Sequence, residues 1–438
     1  MSVRLIHNSI VTATFLGAVA VSLSLASMHT QVRAETWPSW RGENGDNHAS
    51  SETDAPIRWN IDTGENVLWQ TKIPGRGHSS PIVVAESIFL TTADANEKTQ
   101  SLVKINRKSG RLMNSWVLHR GTLPAQIHSN NSYASPTPAF DGEDLFVVFH
   151  TDDAIMLSKV TIEGRVVWQK RVSRFEPSRF QFGYGASPLI HDDLVIVAAE
   201  YDGPDSGLYA LDRNSGVERW KVPRPSNLNF ASPIAATIAG TRQVLLAGAE
   251  MITSYDPVTG RKLWSVDEST EAICGTAVWD GRRVMISGGN PASGTWCVSG
   301  DGTEKQLWNN GVKCYEQSLL TIDNFVFAVA DSGVAYCWRT SDGKEMWKKR
   351  LFGGGISSSP LLVQDRFYFA SEAGEMFIIK AIPDRFELLA THQVGDSMFA
   401  SPVAVDNQLY LRFAKGSGGQ RQEYLAAIGV LTANGSAD

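Results

Sequence analysis

The chain has 438 residues, 42% hydrophobic and 20% charged, with a formal net charge of −6. That is the make-up of an ordinary folded protein, too long for one small core. No basic excess offers a face to nucleic acid, so that class of partner is excluded.

Residues 1–34 read as an export signal. Arg4 and His7 make a weakly basic start, and residues 10–25 are apolar but diluted by Thr, Ser and Gly. Val32-Arg33-Ala34 places small residues where a signal peptidase needs them, so a cut is expected after Ala34. The apolar stretch is short for a bilayer span, so no stable membrane segment is expected after cleavage. The first Cys is Cys274, which argues against lipid attachment near the cut. The expected location is the periplasm or the extracellular space. Residues 35–58, with Trp37, Trp40 and Arg41, form an N-terminal arm expected to pack on the domain that follows.

Two signatures then alternate. One is a Ser-Pro step opening an apolar run, at Ser80, Ser135, Ser187, Ser232, Ser359 and Ser401. The other is a Gly-containing turn followed by Trp, which leads to Trp69, Trp116, Trp168, Trp220, Trp264, Trp308 and Trp347. A spacing of about 40–50 residues marks a propeller or a solenoid. In the first unit, residues 81–84 and 87–92 are apolar runs, and residues 102–106 alternate. Gly110 turns the chain into a fourth run carrying Trp116. Four such strands make one propeller blade.

Residues 275–278 and 317–320 hold the Ser-Pro place without the Ser-Pro step, and residues 384–389 read as a degenerate fourth strand. The count becomes eight units. The ends are out of phase: residues 66–73 are a fourth strand with nothing before it, and residues 424–430 a third strand with nothing after it. Each completes the other if the ring closes, which removes two exposed sheet edges. The expected fold is all-β, an eight-bladed propeller over residues 59–430 whose N-terminal strand completes the last blade. A flexible tail at 431–438 follows.

Cys274 and Cys314 are 40 residues apart, as are Cys297 and Cys337, so they hold equivalent places in successive repeats. An oxidising compartment permits a bridge. Places near the axis come closest together, which favours Cys274–Cys314; the other reading is four buried thiols.

The units at 212–220 and 256–264, both Asp-turn-Gly-to-Trp, resemble the tryptophan-docking repeat of the pyrroloquinoline quinone (PQQ) β-propeller superfamily. The segment Trp37-Pro38-Ser39-Trp40-Arg41-Gly42-Glu43-Asn44-Gly45 is similar to the leader of exported PQQ-repeat proteins of planctomycete-type bacteria. The resemblance implies two different functions. A quinoprotein dehydrogenase would use PQQ with Ca²⁺, with Glu200 and Asn290 as metal ligands and Asp331 as base. However, no adjacent cysteine pair and no long interblade insertion is present, so no cofactor is expected. The other function is that of the assembly scaffold for outer-membrane proteins, which has this fold and no PQQ. The expected role is therefore a non-enzymatic exported scaffold that binds a protein or a cell-envelope ligand. A sugar-binding propeller, using Tyr184, Tyr201 and Tyr315, is the third reading.

Any ligand is expected on the loop face around the channel. Candidates from loops before the first strands are His78, His128, Asn130, Asn229 and Glu316. Candidates from the loops after the second strands are Glu200, Asn290, Asp331, Glu372 and Arg412. The set is polar and mostly acidic, which suits Ca²⁺ or Mg²⁺ better than soft metals, but no motif selects any of them as a metal ligand or catalyst.

Overall fold

The computed structural model describes Met1 and residues 35–417 and 420–430. The expected signal cut after Ala34 and the tail at 431–438 lie outside the described residues. Thirty-two strands form eight four-stranded antiparallel sheets. No helix occurs among the described residues, so none there crosses a membrane.

Seven sheets are consecutive meanders, spanning residues 82–120, 139–174, 189–223, 234–266, 278–310, 320–350 and 361–393. The eighth takes three strands from residues 403–428 and its outermost from Val67–Ile73. That strand pairs antiparallel with Gln420–Ile428, from Val67 opposite Ile428 to Ile73 opposite Glu423. The ring closes as the out-of-phase ends require. The fourth strand of the seventh blade is Leu388–Gln393, later than expected, because residues 383–385 form the bend that precedes it.

Each blade buries its middle strands and exposes its outer one. Asp144–His150 is buried throughout, whereas Val166–Arg174 is mostly open. The middle strands are covered on both faces by neighbouring blades and so read as continuous apolar runs. The outer strand contributes chiefly its Trp. Trp69 lies on Gly110 of the next blade, Trp116 on Gly164, Trp168 on Gly216 and Trp220 on Gly260. Four of the repeat indoles, those of Trp69, Trp168, Trp308 and Trp347, also donate to a backbone carbonyl across the joint, as Trp69 does to Arg107 O at 2.9 Å and Trp308 to Thr340 O at 2.7 Å. Glycine and Trp alternate in the sequence because they are partners across most blade interfaces.

The arm runs over the face opposite the interblade loops. Trp37 and Val83 exchange backbone hydrogen bonds at 2.9 and 3.0 Å, and Phe140 N–H donates to Pro38 O at 2.8 Å. Arg41 is buried and donates to Gly45 O at 2.9 Å, and Ala49 N–H donates to Leu362 O at 2.8 Å. The arm thus contacts blades on both sides of the axis.

Candidate functional site

A ring of hydroxyls surrounds the channel at the start of the first strands. Ser80 N–H donates to Thr137 Oγ1, Thr137 N–H to Ser187 Oγ, and Ser187 N–H to Ser232 Oγ, at 2.9–3.0 Å. Thr276 N–H donates to Ser318 Oγ, Ser318 N–H to Ser359 Oγ, Ser359 N–H to Ser401 Oγ, and Ser401 N–H back to Ser80 Oγ, at 2.8–3.0 Å. Seven of the eight joints are closed this way. The second blade contributes Thr137-Pro138 rather than the expected Ser135-Pro136, because Ser135 lies two residues higher and bonds Asn131 instead. At the eighth joint, between Ser232 and Thr276, the arm intervenes: Trp40 Nε1 donates to Thr276 Oγ1 at 2.8 Å.

Trp40 and Ser187 line cavities on both sides of this level, one of about 210 Å³ toward the loops and one of about 610 Å³ toward the arm. The indole therefore stands between the two ends of the channel.

The loop-side cavity is built from a second layer. Strand side chains on one face recur every second residue, so the residue two before each ring hydroxyl also faces the axis. Around the ring these are His78, Ser135, Gly185 and Phe230, then Cys274, Glu316, Ser357 and Phe399. All eight line the cavity. The ring column is uniform, and the column above it differs in almost every blade. Phe182, His128, Asn130 and Tyr315 add to the wall from the loops.

His78 stacks on Phe399 with ring centroids 4.4 Å apart, and its Nε2 is buried without a partner. Burial, with Arg76, Arg412 and Arg421 nearby, pushes it well below the usual histidine range, so it is neutral. His128 meets Phe182 edge-on at 5.1 Å. One blade before Phe399, Ser357 Oγ lies 2.6 Å from Glu316 Oε2 and 2.9 Å from Glu372 Oε1. Asn130 reaches across to Glu372 Oε2 at 3.4 Å. Burial, and then Glu372 and Asp331, push Glu316 upward, against the hydrogen bond from Ser357.

The other candidates stand elsewhere. Glu200 is buried in an ion pair with Arg224 at 2.6 Å and accepts from Asn229 Nδ2 at 2.5 Å. Thr253, Tyr255 and Gly248 O take the remaining donors of Arg224, so this network ties blades three and four together. Asn290 offers its carbonyl to Ala272 and Thr270 beside the cis Asn290–Pro291 bond. Asp331 accepts from Tyr315 N–H at 2.9 Å and pairs with Lys313 at 3.4 Å, just outside the wall. Arg412 is buried beneath the mouth, donating to Ser79 and Thr91, with Glu423 at 3.6 Å. Burial lowers its guanidinium to about 10, which leaves it charged at neutral pH.

All four cysteines are thiols. Cys274 lines the cavity, whereas Cys314 packs in the apolar core with Val278, Met285 and Leu319. The Cys274–Cys314 bridge is therefore not formed; the equivalent residues face different surroundings. Tyr184 and Tyr201, expected as exposed aromatics, are 5% and 2% exposed, because Tyr184 donates to Ala198 O inside the blade. Tyr315 alone of that trio lines the mouth.

PQQ does not fit these residues. It is a flat tricarboxylate, and the mouth presents Glu316 with no Lys or Arg in its lining. Ca²⁺ needs about six to eight converging oxygens, and no cluster of three or more acidic, His or Cys side chains able to hold a metal occurs among the described residues. Glu200, Asn290 and Asp331 are engaged in separate structural contacts.

Comparison with known proteins gives the setting. No protein of curated function matches the chain. BamB from Moraxella catarrhalis superposes with a TM-score of 0.57 at 15% identity, covering 82% of this chain and 96% of that one. A europium-containing methanol dehydrogenase superposes with a TM-score of 0.65 at 10% identity, covering 90% and 98%. A computationally designed protein, Ika8, gives 0.56 at 13% identity, covering 81% and 98%. At these identities the likenesses establish the architecture alone. The family described as outer membrane protein assembly factor BamB matches residues 41–179, 132–349 and 302–381, well over half of the chain. The chain belongs to that family of PQQ-type repeat propellers.

Proposed function

We propose that the protein is an exported, non-enzymatic binding propeller of the cell envelope that holds a segment of a protein ligand in the mouth of its channel. The observation that carries this reading is the contrast between two layers. The hydroxyl ring repeats from blade to blade and stitches the scaffold, while the layer above it presents His78, Phe230, Glu316 and Phe399 at equivalent positions. Side chains that vary on a constant frame suit recognition. The cavity, about 210 Å³, is below the usual range for a drug-sized ligand of about 300–1,000 Å³. It accommodates a side chain better than a whole cofactor. Around it the loops expose Phe180 at 39% of its surface, 5.6 Å from Phe182, which in turn stacks over Phe230. Such an aromatic apron suits the flanks of a peptide.

Two measurements test the reading. A photo-crosslinking residue at Phe182, in the full chain in its native envelope, is expected to give discrete protein adducts. The same residue at Val258, an exposed turn position on the opposite face, is expected to give none of them. Purified protein given PQQ and Ca²⁺ is expected to show no saturable quinone spectrum and no dye reduction with alcohols. A saturable signal there, or identical adducts at both positions, overturns the proposal.

A further inference from the structure

We propose that the mouth recognises a lysine side chain carried on an extended segment of the partner. This deepens the binding reading above and rests on it. The charge of the wall is one-sided: Glu316 lines it, Glu372 stands directly behind Ser357, and His78 is neutral. The nearby cations are committed elsewhere: Lys313 to Asp331 at 3.4 Å, Arg179 to Glu271 and Arg421 to Glu423 at 2.7 Å, Arg412 to Ser79 and Thr91, and Arg76 to Ser129 O.

The Ser357 hydroxyl has one hydrogen but meets two carboxyl oxygens, at 2.6 and 2.9 Å. It donates to one of them. The other contact then sets two acceptors against each other unless a proton or a cation is supplied. Burial first, and then the charges of Glu372 and Asp331, raise the affinity of Glu316 for protons, which acts in the same direction.

The rest of the cavity suits an alkyl stem under an ammonium. Phe182, Phe230 and Phe399 line it, with Tyr315 beside Glu316 and Trp40 also in the lining. Aromatic faces attract a cation and cover the methylenes behind it. Lysine fits better than arginine for a geometric reason. A guanidinium fork seeks both oxygens of one carboxylate. Here each carboxylate has one oxygen held by Ser357, so the remaining oxygens, Glu316 Oε1 and Glu372 Oε2 (the latter also 3.4 Å from Asn130 Nδ2), belong to different residues. An ammonium, with three donors around a point charge, reaches both.

The test uses the purified full-length exported chain and blocked pentapeptides Ala-Ala-X-Ala-Ala with X lysine, arginine or norleucine, titrated by ligand-observed NMR. Norleucine keeps the stem and removes the charge. The lysine peptide is expected to bind at least ten-fold more tightly than the norleucine peptide, and more tightly than the arginine peptide. Glu316→Gln and Ser357→Ala are expected to abolish that preference. Glu345→Gln, on an outer strand, is expected to leave it intact. Equal binding of lysine and norleucine, or an unchanged preference in Glu316→Gln with a normal melting curve, overturns the proposal. Absence of any peptide binding also overturns it. If Phe182 crosslinks persist in that case, the binding reading stands without the lysine; if they vanish too, both fall.

Discussion

Trp40 Nε1 donates to Thr276 Oγ1 at 2.8 Å, at the one joint where the hydroxyl ring lacks its own bond. A residue far outside the repeat thus completes a contact that the repeat makes seven times by itself. Trp40→Ala removes the indole between the two cavities and is expected to lower unfolding free energy by about 3 kcal/mol, the low end for Trp truncation. Trp40→Phe keeps an aromatic plug and loses only the hydrogen bond, about 1 kcal/mol. Denaturant titration separates the two. Added indole is expected to raise the melting temperature of Trp40→Ala and not of the native chain, through binding to the vacated space.

Ser187→Ala tests the ring. It strips the acceptor from the Thr137 N–H, which is buried. An orphaned buried donor costs about 1–3 kcal/mol, more than the net worth of a hydrogen bond. The loss is expected in equilibrium unfolding with little change in the denaturant slope. A change within a few tenths of a kcal/mol would mean that the ring does not stitch the blades.

Glu200 looked like a ligand by its place after a second strand. The structure makes it half of a buried ion pair with Arg224, and both side chains are 1% exposed. Removing one partner leaves an uncompensated buried charge, at a cost of about 3–5 kcal/mol. Glu200→Ala is therefore expected to be strongly destabilising. Whatever fraction remains folded is expected to bind mouth ligands with native affinity.

The architecture was legible because it repeats. Pro after Ser, Gly before Trp and the stubs at 66–73 and 424–430 each recur or fail to recur in a countable way. The mouth was only half legible. His78, His128, Asn130 and Glu316 were found because they are polar residues in loops before first strands, whereas Phe182, Phe230 and Phe399 look like core residues by type. The missing signal was positional: counting two residues back from each ring hydroxyl selects Phe230, Cys274 and Phe399 together with His78 and Glu316. The displacement of the second blade to Thr137 hid that column, since Ser135-Pro136 copies the repeat one layer too high. Glu200, Asn229 and Arg412 misled for the opposite reason. Their partners, Arg224, Ala247 O and Glu423, lie on other segments of the chain and leave no local trace.

His150 sets an acid limit. Its Nε2 lies 3.1 Å from Phe175 O and its Nδ1 is buried without a partner, so the ring is held neutral. Burial lowers its pKa from 6.5 to about 4. A folded value below the unfolded one means full stability above pH 6.5 and a progressive loss as pH falls toward 4. The slope is about 1.4 kcal/mol per pH unit, or on the order of 3 kcal/mol across the window. Glu316 runs the other way, because its folded value is raised: its contribution is present below its ordinary range and lost as pH rises. His150→Gln keeps a donor for Phe175 O and is expected to flatten the melting temperature between pH 6.5 and 4. An unchanged slope would assign the acid loss to other groups.

The pairing of Trp and glycine across blades separates two costs that usually come together. Gly142 and Gly164 both have positive φ, +102° and +88°. A Cβ on Gly142 would meet nothing within 4 Å, whereas one on Gly164 would lie 2.0 Å from the Trp116 ring. Gly142→Ala therefore carries the backbone cost alone, about 1 kcal/mol. Gly164→Ala adds displacement of an indole that is packed on the neighbouring blade, about 1–3 kcal/mol more. Combining Gly164→Ala with Trp116→Ala makes room for the methyl group, so the double variant is expected to lose less than the sum of the two single losses. Strict additivity would show that the turn glycine serves only its own backbone, and that the alternation of Gly and Trp along the chain has no packing cause.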